Sequence, residues 1–425
     1  MKHNIQFPLV VIGAQWGDEG KGKIVDVLAA QADCVIRFNG GNNAGHSVVV
    51  NGEKFKLSLI PSGVMQRKKL LLAQGVVIDP KILLDEISFF EKRGIPVNLM
   101  IDPRVHIVMP YHKALDAATE AWKGKKATGS LHLGIGYCYE DKNNRFGIRF
   151  EDLIKPKYLK EKLQMFFPQK KKQIELIFGQ KTELNEEDIY RTYAKYGRAL
   201  KKYCGDVSSY VGAQMKKKKV LFEGAHGTFL DGVFGTYPYT VAIHTMSGAI
   251  FPYVGIAPQK IYSMGIVKAY TTRVGNGPFP TELHNKVAEK IRAVGVEFGT
   301  VSKRPRRCGW LDLCMVRTAH RLSGFDSIAI TKLDVLSGLK EIKICIAYTL
   351  HGEKITEVPS SIHDLPKCRP VYTVYKGWKS DISKIRTYTG LPQEAKKYIK
   401  FITDQLHIPI SLVSVGPGRG EEIYL

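Results

Sequence analysis

The run Gly17-Asp18-Glu19-Gly20-Lys21-Gly22-Lys23 packs three glycines and four charged side chains into seven positions. It satisfies GxxxxGK, the spacing at which backbone N–H groups wrap phosphate oxygens and a lysine reaches them. The next residue is Ile24, where a standard loop of this kind carries a Ser or Thr for magnesium. The metal ligand must then come from elsewhere. Asp18, inside the loop, is the candidate, because Mg²⁺ prefers carboxylate and phosphate oxygens. A second cluster, Gly40-Gly41-Asn42-Asn43-Ala44-Gly45-His46-Ser47, combines three glycines, two amides and one histidine, a composition suited to close ligand approach. His46 is the candidate catalytic histidine, and a structural histidine is its rival.

Three further segments could bind nucleotide or anion. Thr331-Lys332-Leu333-Asp334 ends the strand-like run SIAITKLD. It is similar to the base-reading element of GTP-binding proteins, in which a lysine stem packs on the purine and an aspartate accepts from guanine N1–H and the 2-amino group. Adenine has neither donor there, so the carboxylate would go unpaired. The competing reading is an exposed strand end. Ser414-Val415-Gly416-Pro417 follows another apolar run and could add backbone contacts to the same base. Arg304-Pro305-Arg306-Arg307 sets three guanidinium groups beside a stiff turn, suited to bidentate grip of carboxylates and phosphates. An RNA-binding patch is the alternative, and the absence of interleaved aromatics favours a small anion.

The elements that must position these residues read as α/β. Short apolar runs at 8–12, 34–38, 69–73, 220–224, 327–336 and 410–416 alternate with helical patterns at 21–30, 80–94 and 391–406. Several of the runs end in glycine or polar residues, as strands feeding a ligand-binding edge should. The expected organisation is one body over 1–425, with a lysine-rich helical subdomain at 151–219.

With 425 residues, 44% hydrophobic and 24% charged, the chain can bury an enzyme-sized core. No apolar run approaches the roughly 18 residues of a membrane span. Met1 to Pro8 lacks the pattern of a secretory signal, so the expected location is the cytoplasm. Seven scattered cysteines without a CxxC pair argue for reduced thiols rather than disulfides or zinc. The net charge of +23 leaves three readings: nucleic-acid binding, which is disfavoured; polyanionic substrates; or solvated lysines such as Lys170 to Lys172 and Lys216 to Lys219.

Taken together, GAQWGDEGKGKIVD (13–26), NAGHS (43–47), YEDK (139–142), FEGAHGT (222–228), KAYTTRVGNGPFPTEL (268–283), RPRRCGWLD (304–312) and TKLDVLSGLKE (331–341) resemble the adenylosuccinate synthetase family. The motifs stand in family order and extend from residue 7 to the end of the chain. The resemblance implies an α/β fold around a large, mostly parallel central sheet with flanking helices and a P-loop-like N-terminal loop. It also implies a homodimer using GTP and Mg²⁺ to join L-aspartate to IMP through a 6-phosphoryl-IMP intermediate. By the same resemblance Asp18 is the general base on IMP and His46 the general acid.

The implied GTP contacts are Gly17 to Lys23, Gly45, His46, Ser47, Arg306, Lys332, Leu333, Asp334, Ser414, Val415 and Gly416. IMP falls to Asp18, Lys21, Asn43, Ala44, Gly45, His46, Leu131, Arg145, His226, Val241 and Arg304, with Arg145 reaching the neighbouring subunit's site. Aspartate falls to Thr300, Val301, Ser302, Lys303, Arg304 and Arg306, and the metal to Asp18 and Gly45.

Departures concentrate on the IMP and aspartate segments. Where the family reads TTGRGIGP, this chain has Ser130 to Tyr137, with Leu131 replacing a hydroxyl and Leu133 an arginine. Val241 stands for a threonine, with Thr240 beside it. His226 stands for an amide, and Val301-Ser302-Lys303 stands for TTG. Two catalytic explanations follow: the same reaction with compensated contacts, or the same phosphoryl chemistry on another purine nucleotide or amino acid. A non-catalytic GTP- or RNA-binding relative is the third.

Overall fold

The computed structural model describes residues 5–299 and 304–425. The run LVVIG is apolar at every side-chain position and forms a fully buried strand, β1 (Leu9–Gly13). Continuous apolar strands of this kind are covered on both faces. Here Val10 and Ile12 point into one core cluster while Leu9 and Val11 point into the other, the period-2 alternation of a strand.

Eight more strands complete the sheet: β2 (Cys34–Arg37), β3 (Lys69–Leu72), β4 (Leu99–Ile101), β5 (Val220–Glu223), β6 (Tyr262–Lys268), β7 (Ser327–Thr331), β8 (Ile410–Ser414) and β9 (Glu422–Tyr424). Their order is β9-β8-β7-β6-β1-β5-β2-β3-β4. Every pairing is parallel except β8 with β9, and β1 lies in register with β6 as Leu9 opposite Tyr262 and Val10 opposite Ser263. The α/β reading with a large, mostly parallel sheet is therefore correct.

Strand limits differ from the sequence expectation by one or two residues at most sites, with one larger difference. The run SIAITKLDVL leaves the sheet at Thr331, turns at Lys332 (φ 57°) and continues as a 3₁₀ turn, Leu333–Leu336. The sequence reading does not anticipate a second, smaller sheet: Glu341–Leu350 pairs antiparallel with Arg369–Lys376 and Glu353–Ile355 and parallel with Leu311–Asp312.

Residues 151–219 are helical as expected, with helices at Pro156–Lys172, Glu186–Leu200 and Val207–Gln214. Leu159, Leu163, Ile189 and Tyr193 share the cluster that contains Leu9, Val11 and Leu70. Lys170, read as part of a solvated run, is instead buried and ion-paired to Asp141, whose other oxygen meets His112 Nε2 at 2.8 Å.

Six neighbouring parallel strands, β8, β7, β6, β1, β5 and β2, deliver Ser414, Thr331, Lys268, Gly13, Glu223 and Arg37 to one edge of the sheet. The carboxyl edge of an open parallel sheet is where such folds bind ligands.

Candidate functional site

Between β1 and helix α1 (Lys21–Ala29) the chain makes the glycine-rich turn, with Gly17, Asp18 and Gly20 at φ 82°, 59° and 92°. Glycine adopts this region freely, whereas Asp18 is an outlier held there by its surroundings. The carboxylate of Glu19 points inward and shapes the loop. It accepts from Gln15 N at 3.0 Å, Gly17 N at 2.8 Å and Lys21 Nζ at 2.6 Å, and Thr331 Oγ1 donates to the Glu19 carbonyl. Helix α1 begins without a side-chain cap, so its first amides and dipole are directed at the cavity. Lys23 turns the other way. Its ammonium donates to Ser414 Oγ at 2.7 Å, Gly416 O at 2.6 Å and Glu421 O at 3.0 Å, and burial lowers its pKa to about 8. Lys21 and Lys23 both line the cavity, the first paired to Glu19 and the second to Ser414.

His46 begins a hairpin, His46–Val50 with Glu53–Leu57. Its Nδ1 hydrogen-bonds the Glu223 carboxylate at the end of β5, and the same carboxylate accepts from Ser62 N at 2.8 Å and Ser62 Oγ at 2.6 Å. Burial pushes the Glu223 pKa up, but His46, Ser62 and Arg37 together hold it below the usual carboxylate range. Glu223 thereby fixes the orientation of the ring, with Nδ1 against its carboxylate and the side chain on the cavity wall. Arg37, at the end of β2, is wholly buried and donates to the carbonyls of Ser58 at 2.5 Å and Gly41 at 2.7 Å, which sets the path of the 39–45 loop. The sequence reading missed both residues. Their one signal is a charged residue closing an apolar strand, FE in VLFE and R in CVIR.

At the opposite end Lys332 and Asp334 line the same cavity as Ser414 and Gly416, while Leu333 and Val415 lie buried behind them. Asp334 Oδ1 is buried without a hydrogen-bond partner among the described residues, and burial raises its pKa. Arg306 joins this end to the loop. Its Nε donates to Asp18 Oδ2 at 2.8 Å and its Nη1 to Glu297 Oε2 at 2.6 Å. Glu297, also missed from sequence, further accepts from Lys268, Lys332 and Tyr270.

The cavity these elements enclose measures about 1090 Å³ and is lined by Asn43, Ala44, Gly45, His46 and Ser47 together with Leu131, His226, Val241 and Arg304. Asn43 Oδ1, Ser47 Oγ and His226 Nε2 are buried there without partners among the described residues. Buried polar atoms are satisfied as a rule, so unpaired ones along one cavity mark where a ligand supplies the partner. Burial drives the His226 pKa down to about 3. Leu133 and Val241 pack on a small apolar cluster of Val77, Val108, Ile135, Cys138, Tyr139 and Ile243, so this arm of the cavity has a greasy wall. Arg304 lines the same arm and its Nη1 lies 3.5 Å from Gly129 O. Arg145 is exposed at the end of helix Ile135–Asn144, outside the cavity lining. Thr300, Val301, Ser302 and Lys303 lie outside the described residues.

For the metal, the donors to hand are hard oxygens: the partly exposed Asp18 carboxylate and the Gly45 segment on the same cavity. That donor set suits Mg²⁺.

Known proteins match this arrangement from end to end. A family model described as adenylosuccinate synthetase covers residues 10–423. An adenylosuccinate synthetase of Alkaliphilus metalliredigens is 48% identical over 419 residues, spanning 98% of both chains. One from Clostridium acetobutylicum is 46% identical over 420 residues, covering 97% of this chain and 98% of that one. The solved structure of fully ligated adenylosuccinate synthetase from Plasmodium falciparum superposes with a TM-score of 0.92 at 38% identity, covering 98% of this chain and 99% of that one. Matched over nearly its whole length by that family's model and by these relatives, the chain belongs to the adenylosuccinate synthetase family.

Proposed function

We propose that this chain is a GTP-dependent ligase that joins L-aspartate to IMP, yielding adenylosuccinate, GDP and phosphate. The observation that carries the reading is the series of unpartnered buried polar atoms, from Asp334 at one end through Ser47 and Asn43 to His226 at the other, strung along one cavity past Asp18 and His46. Asp334 and Lys332 take the guanine, and the uncapped start of α1 with Lys21 takes the phosphates.

Asp18 removes the N1 proton of IMP, so that O6 attacks the γ-phosphorus and GDP leaves. His46, backed by Glu223, donates to the phosphoryl group in flight. The 6-phosphoryl group then departs as phosphate when the amine of aspartate attacks C6, with Arg304 and Arg306 holding the carboxylates. Asp18 and Gly45 would hold Mg²⁺, which when bound neutralises the charge of the transferring phosphoryl group. The protein acts in the cytosol as a homodimer, with Arg145 directed to the neighbouring subunit's IMP.

The test is the absorbance change of purified protein with GTP, Mg²⁺, aspartate and IMP. Asp18→Asn is expected to lower kcat by about a thousandfold or more while GTP affinity stays within about threefold. Unchanged turnover in that variant removes Asp18 from the mechanism. The apolar wall of Leu131, Leu133 and Val241 favours one second reading, the same chemistry on a different purine nucleotide. Silence with IMP and turnover with another purine monophosphate in the same assay would select it.

A further inference from the structure

We propose that Glu297 is a positioning residue that couples the base-reading end of the nucleotide site to Asp18; the inference rests on the GTP-dependent reading above. Four donors converge on this fully buried carboxylate. Oε1 accepts from Lys332 Nζ at 2.8 Å, Lys268 Nζ at 3.0 Å and Tyr270 OH at 2.5 Å, and Oε2 accepts from Arg306 Nη1 at 2.6 Å. Lys332 stands two residues before Asp334, the base reader, and Arg306 continues to Asp18 at 2.8 Å. Three charged side chains, Lys332, Glu297 and Arg306, therefore run in series to Asp18, with Glu297 the anion between two cations.

The backbone is built to hold it there. Glu297 N donates to Arg292 O at 2.9 Å, closing the turn after helix Lys286–Val294, and Arg306 N donates to Glu297 O at 2.9 Å. The same residue thus holds Arg306 by main chain and side chain. The preceding Val296 is β-branched yet sits at φ 48°, and it is 66% exposed, so side-chain packing does not account for the conformation. Strain of this kind persists where surrounding structure imposes it, and here it turns Glu297 inward.

Charge gives the link its function. Lys268, Lys332 and Arg306 are three cations facing two carboxylates, Glu297 and Asp18, beside a cavity that receives a polyphosphate. Cations this close repel one another unless an anion sits among them. Lys268 does not line the cavity. It anchors the carboxylate from the end of β6, where burial lowers its pKa to about 8. A base that fails to engage Lys332 and Asp334 leaves Lys332 free to shift on Glu297, and the grip of Glu297 on Arg306 shifts with it.

The test uses full-length protein and Glu297→Gln, which keeps the side chain's shape and removes its charge. Two readouts are taken: the Kd for GTP by calorimetry, and kcat with GTP against inosine triphosphate, whose base lacks the 2-amino group. The Kd is expected to rise about tenfold. The kcat ratio of GTP to inosine triphosphate is expected to exceed one in the wild type and to fall to about one in the variant. Either an unchanged Kd or an unchanged ratio overturns the proposal, because a merely structural defect lowers stability without altering discrimination between bases. If Glu297→Gln does not fold, Lys332→Met, altered at a partly exposed side chain, is expected to collapse the same ratio, and an unchanged ratio there overturns the proposal equally. A wild type that turns over no purine substrate sinks the ligase reading instead, and the calorimetric arm still decides for or against Glu297.

Discussion

His46, the proposed general acid, shows how much of such a residue's role lies outside its own side chain. The imidazole is useful only in one orientation, and that is set by Glu223, 177 positions away. Replacing Glu223 with Gln keeps a hydrogen-bond acceptor but removes the negative charge beside the ring. The expected result is a loss of about a hundredfold in kcat with KM for GTP nearly unchanged, read from steady-state kinetics.

His226 makes the opposite case. Its folded pKa, depressed to about 3, lies below the unfolded value of about 6.5. The group therefore contributes stability that is fully present above pH 6.5 and is lost as pH falls from there through about 3. His226→Gln should flatten that part of the stability profile in urea unfolding at pH 4 and pH 7. It should leave KM for IMP within about threefold, since an amide can meet the same partners. A steeper acid loss in the variant would show that the ring is not held neutral.

At the scale of elements, the hairpin that carries His46 leans directly on α1. A Cβ on Gly22 would stand 2.8 Å from His46 Cβ and 3.2 Å from its Cγ. Alanine suits a helix better than glycine by about 1 kcal/mol, so Gly22→Ala pits local propensity against the histidine's position. We expect the fold to survive and kcat/KM to drop by about tenfold or more as His46 is displaced; equal activity would mean that the hairpin moves freely.

The same contact explains why parts of this site were legible in sequence and parts were not. GDEGKGK and TKLD are local: their residue types and spacing lie within a few positions, so the first reads correctly as the turn after β1, whereas TKLD reads as the end of a strand and instead leaves the sheet at Thr331. Glu19 and Lys23 belong to the first motif, yet one faces inward to build the loop and the other bonds the far end of the chain. Glu223, Arg37 and Glu297 are single charged residues in apolar or glycine-bearing surroundings, and only tertiary packing gives them partners. The antiparallel strands at 341–350 and 369–376 escaped for a related reason. Neither carries a motif, and although the first holds an apolar run, Ile344 to Tyr348, as long as that of β1, its antiparallel partner at 369–376 is set only by tertiary pairing.

Over the whole molecule, one assigned ligand lies outside the cavity it is meant to serve. Arg145 is exposed and stands at the end of its helix at φ 67°. If it completes a neighbour's site, Arg145→Ala should raise KM for IMP about tenfold while changing stability by no more than about 0.5 kcal/mol, as surface substitutions do. Wild-type specific activity should also fall on dilution below the dimer's dissociation constant, which analytical ultracentrifugation would supply independently. Activity that is constant on dilution, with a silent Arg145→Ala, would make each chain self-sufficient.

The bond from Lys23 to Ser414 sets a timetable as well as a shape. The glycine-rich loop is made well before β8, so its lysine finds its partners 391 residues later. At ordinary synthesis rates of about 5–20 residues per second, that is a wait of roughly 20–80 s. During that interval a nascent chain carries a complete phosphate motif in sequence and an unfinished one in space. Ribosome-bound chains should therefore begin to retain GTP only once β8 has emerged, however early the loop itself is made.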